Sequence, residues 1–124
     1  MLNDLFTDPA ILKVLYNASD QLLWLQRDFG VFMVNLFDIQ MALNLLDQKT
    51  TSFADVLMEK MHEYINMRYR RADWRTRPLT PEMLLFARQT THSNLHITAM
   101  IVEQLRNQSG KHINRVCFSE SNSE

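Results

Sequence analysis

The sequence predicts an all-α protein: short helix-turn-helix-like helices flanked by two longer helices, in a dimer. Three observations predict it. Only two glycines and three prolines occur in 124 residues, which leaves few breaks in the chain. Hydrophobic residues make up 46% of the chain and recur at helical spacing. Residues with cap chemistry stand just ahead of the apolar runs, at Asp8-Pro9, Asp38, Thr50-Thr51-Ser52 and Thr80-Pro81-Glu82. The length is that of one domain, and a domain of this size buries roughly two-thirds of its unfolded surface.

The elements follow in order. Asp8 can accept from free amides and Pro9 fits a first helical position, so a helix is expected from residue 8 to about residue 28. Ile11, Leu12, Leu15, Ala18, Leu22, Leu23 and Leu25 fall at helical intervals, and Val14 and Trp24 widen the stripe. A stripe this wide needs more than one packing partner, which places Leu15, Leu22 and Leu23 in a homodimer interface. Gly30 punctuates, and a second helical piece is expected from Val31 to about Leu36. Asp38 can cap a third helix carrying Ile39, Met41, Ala42, Leu45 and Leu46. The Thr50-Thr51-Ser52 cap opens a fourth with Phe53, Val56, Leu57, Met58 and Met61, ending near Glu63. Short helices joined by tight turns have the layout of a helix-turn-helix unit. Asp47, Asp55, Glu59 and Glu63 make these helices acidic, which suits a compact scaffold better than a groove reader. Residues 64–79 have no clean period and read as extended or irregular. Thr80, Pro81 and Glu82 then open the last helix, which runs to about Asn107 or Gln108. Residues 1–108 are the expected helical domain, and residues 109–124 a flexible polar tail.

Charge is unevenly placed. Residues 1–63 carry four basic and nine acidic side chains, residues 64–115 nine basic and three acidic, and the last nine residues two acidic, giving a net charge of −1. Five arginines, Arg68, Arg70, Arg71, Arg75 and Arg77, sit within ten positions, with Tyr69 and Trp74 among them and Asp73 opposing. Guanidinium groups bind phosphate in a bidentate way and aromatic neighbours add stacking, so the run is a candidate DNA contact. A solvated loop, or pairing with acids of a partner, is the alternative. The single cysteine, Cys117, can build neither an intrachain disulfide nor a cysteine zinc site. No apolar run approaches a membrane span, and the start lacks the pattern of a secretory signal. A soluble, cytoplasmic protein is expected.

Catalytic chemistry is harder to assemble. His92 and His96 are four apart and share a helical face, but no Glu or Cys nearby completes a metal-ligand set. No acid stands at a spacing that would orient His92 toward a Ser or Thr nucleophile. Gly30 and Gly110 are too isolated for a phosphate loop. Asp4, Asp8 and Asp20, or Asp55, Glu59 and Glu63, read as solvated faces. The sequence therefore predicts no enzyme, no cofactor and no metal in this chain.

Ile11-Leu12-Lys13, Tyr16-Asn17 and the stretch from Leu23 to Gln26-Arg27 resemble the first helix of the FlhD family, the smaller subunits of the bacterial flagellar master regulator. Met41-Ala42, the stretch from Leu57 to Glu59, and Arg68-Tyr69 resemble its middle part. Leu79-Thr80 precedes His92 at a similar spacing, and Ser93, Leu95, Ile97, Thr98, Ile101 and Val102 follow in a similar order. The resemblance covers about residues 8–106, shortened near residues 28–36. It implies an all-helical homodimer that joins an FlhC-like subunit, with His92, Leu95, Ile97, Ile101 and Val102 as docking residues. Zinc is implied only in that partner. The chain departs from the family in having Ile65 and Asn66 where a cysteine is usual, and Asn35 or its neighbours where an arginine is usual. Related subunits of conjugative or integrating elements fit the divergence.

The function this implies is a transcriptional activator subunit that meets double-stranded DNA, and RNA polymerase, at promoters within the nucleoid. A helical adaptor or chaperone that binds a protein partner without DNA contact is the alternative.

Overall fold

The computed structural model describes residues 2–48 and 52–108. The elements in chain order are α1 (Leu2–Thr7), β1 (Lys13–Leu15), α2 (Ala18–Phe29), β2 (Leu36–Asp38), α3 (Ile39–Leu45), α4 (Phe53–Met61), a 3-10 helix (Met67–Arg71) and α5 (Pro81–Gln108). The expected tail, residues 109–124, lies outside the described residues.

The all-α expectation is wrong. Strands β1 and β2 pair in parallel, with Lys13 opposite Leu36, Val14 opposite Phe37 and Leu15 opposite Asp38. Parallel neighbours need a crossover, and α2 supplies it, so residues 13–38 form a βαβ unit. The helix expected from residue 8 does not start there. Asp8 Oδ1 accepts from the amide of Ala10 at 2.8 Å, which makes a turn, and Lys13 Nζ donates to the carbonyls of Asp8 and Ile11 at 2.7 Å each. The same short acidic side chain serves helix caps and turns alike. Residues 31–36 are not helical either. Val31 and Met33 are buried while Phe32 and Val34 are exposed, a period of two that belongs to extended chain. This segment runs into β2, and the amide of Val34 donates to the carbonyl of Phe6 at 2.9 Å, tying it to the end of α1.

Helix termini explain the remaining boundaries. Gly30 ends α2 at φ +60°, a left-handed conformation that suits glycine, and its amide donates to Gln26 at 3.0 Å while Val31 donates to Leu25 at 3.1 Å. Ser52 caps α4 through the amide of Asp55 at 3.2 Å, and Thr80 caps α5 through the amide of Met83 at 3.2 Å. Helices occupy the regions expected around residues 39–46, 53–63 and 80–108.

The main core joins β2, α3, α4 and α5. Phe37, Ile39, Ala42, Leu43, Val56, Leu57, Ile97, Ile101 and Leu105 are its most buried members. On α5 the row Ser93, Ile97, Ile101 and Leu105 repeats every four residues and faces α3 and α4. A smaller cluster of Ala18, Met33 and Leu36, with Phe6, Leu15, Leu22 and Leu25 against it, seats α2 on the strands.

Asp38 links the two halves of this plan. It is 6% exposed. One oxygen, Oδ2, accepts from the amide of Ala18 at 2.8 Å; the other, Oδ1, accepts from Asn17 at 3.1 Å, Gln40 at 2.9 Å and Met41 at 3.5 Å. A single carboxylate thus caps both α2 and α3. Each lost cap costs roughly 0.5–2 kcal/mol, so Asp38→Ala should destabilise the chain by about 1–4 kcal/mol in urea unfolding. Asp38→Asn, which keeps one acceptor oxygen, should lose less.

Candidate nucleic-acid interface

In open α/β sheets, ligands collect beyond the carboxyl ends of the strands. Here β1 and β2 both end at Asp38 and the N-termini it caps. A cleft of 420 Å³ opens beside them. The β1–α2 junction contributes Tyr16, Asn17, Asp20, Gln21 and Trp24 to its wall; α3 contributes Gln40, and the start of α4 contributes Ser52 and Phe53. Met67 and Arg70 come from the 3-10 helix, and Phe86, Thr90, Thr91 and Asn94 from α5.

The wall is aromatic and polar. Tyr16 and Phe53 stand with ring centres 5.2 Å apart. Phe86 is flanked by Tyr69 at 6.3 Å and Trp74 at 6.1 Å. The Trp74 indole N–H donates to the carbonyl of Tyr69 at 3.0 Å, which closes the arginine-rich loop on itself. This aromatic packing holds the 3-10 helix against α5 and puts Arg70 at the cleft. Trp24 is 54% exposed and offers an open indole face at the rim. Gln21 Nε2 donates to the carbonyls of Tyr16 at 2.8 Å and Asn17 at 3.2 Å. The hydroxyls of Thr90 and Thr91 both donate back to the carbonyl of Ala87, at 2.9 Å each. Asn94 Oδ1 is buried and has no hydrogen-bond partner. Asp20 is the one carboxylate and Arg70 the one cation among the lining residues.

The five arginines do not act as one surface. Arg70 reaches the cleft. Arg68 and Arg71 are exposed on the same 3-10 helix. Arg75 forms a bidentate pair with Asp73, at 2.9 and 3.1 Å. Arg77 donates to the carbonyls of Trp74 and Thr76 at 2.8 Å each, bracing the loop.

The residues expected to dock a larger subunit do not share a face. His92 and Leu95 are exposed, but Ile97 and Ile101 are 0% exposed in the main core, and Val102 packs against it. The rings of His92 and His96 stand 4.8 Å apart, and among the described residues no third His, Cys, Asp or Glu joins them as a metal ligand. The stripe assigned to a homodimer is divided as well. Leu15 and Leu22 pack within the chain on the smaller cluster, and Leu23, 63% exposed, is left alone. The width of the stripe came from joining a strand and a helix into one helix, so the argument for a dimer goes with it. Tyr16, Gln21, Gln40, Phe86, Thr90 and Asn94 are not singled out by the sequence as site residues, because only the packing of α3 and α5 against the βαβ unit brings them together. The stretch 31–37 between Gly30 and Asp38, apolar except for Asn35, was the available signal, since a short bounded apolar stretch also fits a buried strand.

The chain matches the family model described as 3'-5' exonuclease over residues 1–106. It is 41% identical over 121 residues to the exosome complex component 10 homolog of Caenorhabditis elegans, covering 98% of this chain and 14% of that protein. The catalytic core of RRP6 from Trypanosoma brucei superposes with a TM-score of 0.77 at 38% identity, covering 82% of this chain and 28% of that one. RNase D of Escherichia coli, an exoribonuclease involved in structured RNA processing, superposes with a TM-score of 0.75 at 27% identity, covering 86% of this chain and 28% of that one. The chain thus spans about a seventh of the length of the curated relative.

These matches overturn the FlhD resemblance and, with the parallel strand pair, the all-α class: the fold is the α/β fold of the RRP6 and RNase D exonuclease domain. The transcriptional activator, the adaptor or chaperone, the FlhC-like subunit, and the promoter DNA and RNA polymerase that came with it are all replaced. The expectation of a non-enzyme is corrected too, because the matched family is one of exonucleases.

The Asp73–Arg75 pair gives a local test of the loop geometry. The Arg75 side chain, and then its backbone amide, hold the Asp73 carboxyl below the ordinary carboxylate range. Such a group favours the folded loop above its unfolded pKa, and that contribution fades as pH falls through the folded one. The pair lies at the surface, so the change will be seen at the residue and not in global stability. An NMR titration should show the Asp73 midpoint rising in Arg75→Gln.

Proposed function

The chain belongs to the 3'-5' exonuclease family, and on that premise we propose that it forms part of an exoribonuclease of the RRP6 and RNase D kind, its cleft taking the 3' end of a single-stranded RNA. The larger assembly it serves, on the same proposal, is an RNA-processing complex of the exosome type. The observation that carries the reading is the place and chemistry of the cleft. It lies beyond the carboxyl ends of the parallel strands and combines an exposed indole, a guanidinium and several amides. Single-stranded nucleic acids are held by this combination: bases stack on aromatic rings, phosphates meet basic groups, and amides bond base edges or the 2'-hydroxyl. Arg70 therefore retains the nucleic-acid role read from the arginine run, directed at RNA. Arg68 and Arg71 stand on the same short helix, where a strand leaving the cleft would pass them.

Nucleases that work with two metals place the ions about 3.5–4 Å apart, clamping the attacking and leaving oxygens. Hard divalent cations of this kind are held by carboxylate oxygens. Among the described residues, no group of three or more His, Cys, Asp or Glu side chains is placed to hold a metal ion. Asp20 alone among the lining residues brings a carboxylate, so this donor set does not fit a two-metal centre. The carboxylates of a hydrolytic centre would have to come from residues beyond these walls.

Fluorescence anisotropy with a labelled single-stranded RNA tests the cleft. Base stacking on an aromatic side chain is worth about 1–3 kcal/mol, so Trp24→Ala should weaken binding roughly 5- to 150-fold. Arg70→Gln should lower the salt slope of log affinity by about 0.7 if it meets one phosphate. Variants that keep both the affinity and the slope of the parent would refute the cleft as the RNA site.

A further inference from the structure

We infer that this cleft takes the RNA end without a divalent cation. The inference rests on the reading of the cleft as an RNA site, and it concerns how the strand is held there.

A cleft built around several carboxylates repels phosphate until metal ions bridge the two. The walls here are different. Positions facing the cleft on α2, α3 and α5 carry the uncharged Gln21, Gln40, Thr90 and Asn94. The two formal charges among the lining residues, Asp20 and Arg70, are opposite, so the wall is neutral as a whole. A neutral wall of amides can bond phosphate oxygens, 2'-hydroxyls and base edges directly. Asn94 has unused capacity for this, since its Oδ1 is buried without a partner. Which end of its amide faces the cleft follows from the bonds it finds, because the two ends exchange by a flip.

The same donor set is poor at holding a metal. Magnesium requires near-octahedral oxygen ligands and gives up water reluctantly. One exposed carboxylate among neutral amides offers little in exchange for that water. The exposed pair His92 and His96 is not part of the lining, so it does not enlarge the ligand set.

The experiment uses the full chain and a 5'-labelled single-stranded RNA with a free 3' end, at equal ionic strength, in magnesium chloride and in EDTA. The two dissociation constants should agree within about twofold, as no ion bridges the phosphates. A loss of tenfold or more in EDTA would overturn the inference while leaving the cleft as the RNA site. Failure to bind in both buffers would instead overturn the reading beneath it. Asp20→Asn separates the two modes by direction. In a metal-free cleft, removing the lone carboxylate should tighten binding by roughly 1.4- to 5-fold, the range of an exposed charge pair. Weaker binding in magnesium would mark Asp20 as a metal anchor and sink the idea. Calorimetric titration with manganese alone should give no saturable binding at micromolar concentration, and saturation abolished by Asp20→Asn would count against it.

Discussion

The fold depends on one buried carboxylate. Asp38 ends β2, opposes Leu15 across the parallel pair, and accepts amides from both α2 and α3. Helix N-termini leave orphan donors that buried surroundings make costly. Two such termini meet at the end of the strand pair, and a residue with two acceptor oxygens is the smallest group that satisfies both. Asn17 supports this by taking φ 52°, a conformation asparagine tolerates better than most residues, so that α2 can begin directly beyond β1. Its own side chain makes no cap bond; the cap is delivered from Asp38, 21 positions away. The starts of α2 and α3 are thereby fixed relative to each other.

That constraint places the cleft. Tyr16, Asn17, Asp20, Gln21 and Trp24 follow from where α2 starts, and Gln40 from where α3 starts. The opposite wall is set by the core row on α5. Because Ser93, Ile97 and Ile101 are buried, the neighbouring positions Thr90, Thr91 and Asn94 turn toward the strand ends. The arginine-rich segment closes the remaining side through Tyr69 and Trp74 on Phe86, so an irregular stretch is held by aromatic packing where no regular element exists. Phe86 joins the two roles, since it lines the cleft and carries the loop.

Local chemistry was legible in the sequence where it acts locally. Asp38, Ser52 and Thr80 cap the helices they precede, and Gly30 ends one. The βαβ unit was not legible in the same way. Its strands are three residues each, too short to display a period, and β1 runs into α2 with only Tyr16 and Asn17 between. Reading Lys13, Val14 and Leu15 as a helical turn then produced a stripe with no counterpart in the fold. The FlhD resemblance failed for a related reason. Its clearest match, from Leu79-Thr80 through His92 to Ser93, Leu95, Ile97, Thr98, Ile101 and Val102, includes the buried row Ser93, Ile97 and Ile101 at four-residue spacing, and such a row is what any long helix packed on two others requires. The order reported packing on α5 and carried no information about a partner. The candidate site was legible only at Arg70, because the other walls come from segments up to 79 positions apart, from Leu15 to Asn94.

Charge placement completes the argument. The acidic first half and the basic second half meet across the cleft, where α2 contributes Asp20 and the 3-10 helix contributes Arg70. A protein that holds a long phosphate backbone needs a continuous basic track, and affinity there comes mostly from released counterions. The bracing of Arg75 and Arg77 within their own loop removes two arginines from such a track. What remains is a cleft with one carboxylate, one guanidinium and an exposed indole among its lining residues. The uneven charge along the sequence, which suggests a duplex-binding face, therefore resolves in three dimensions into a cleft whose two formal charges, Asp20 and Arg70, balance.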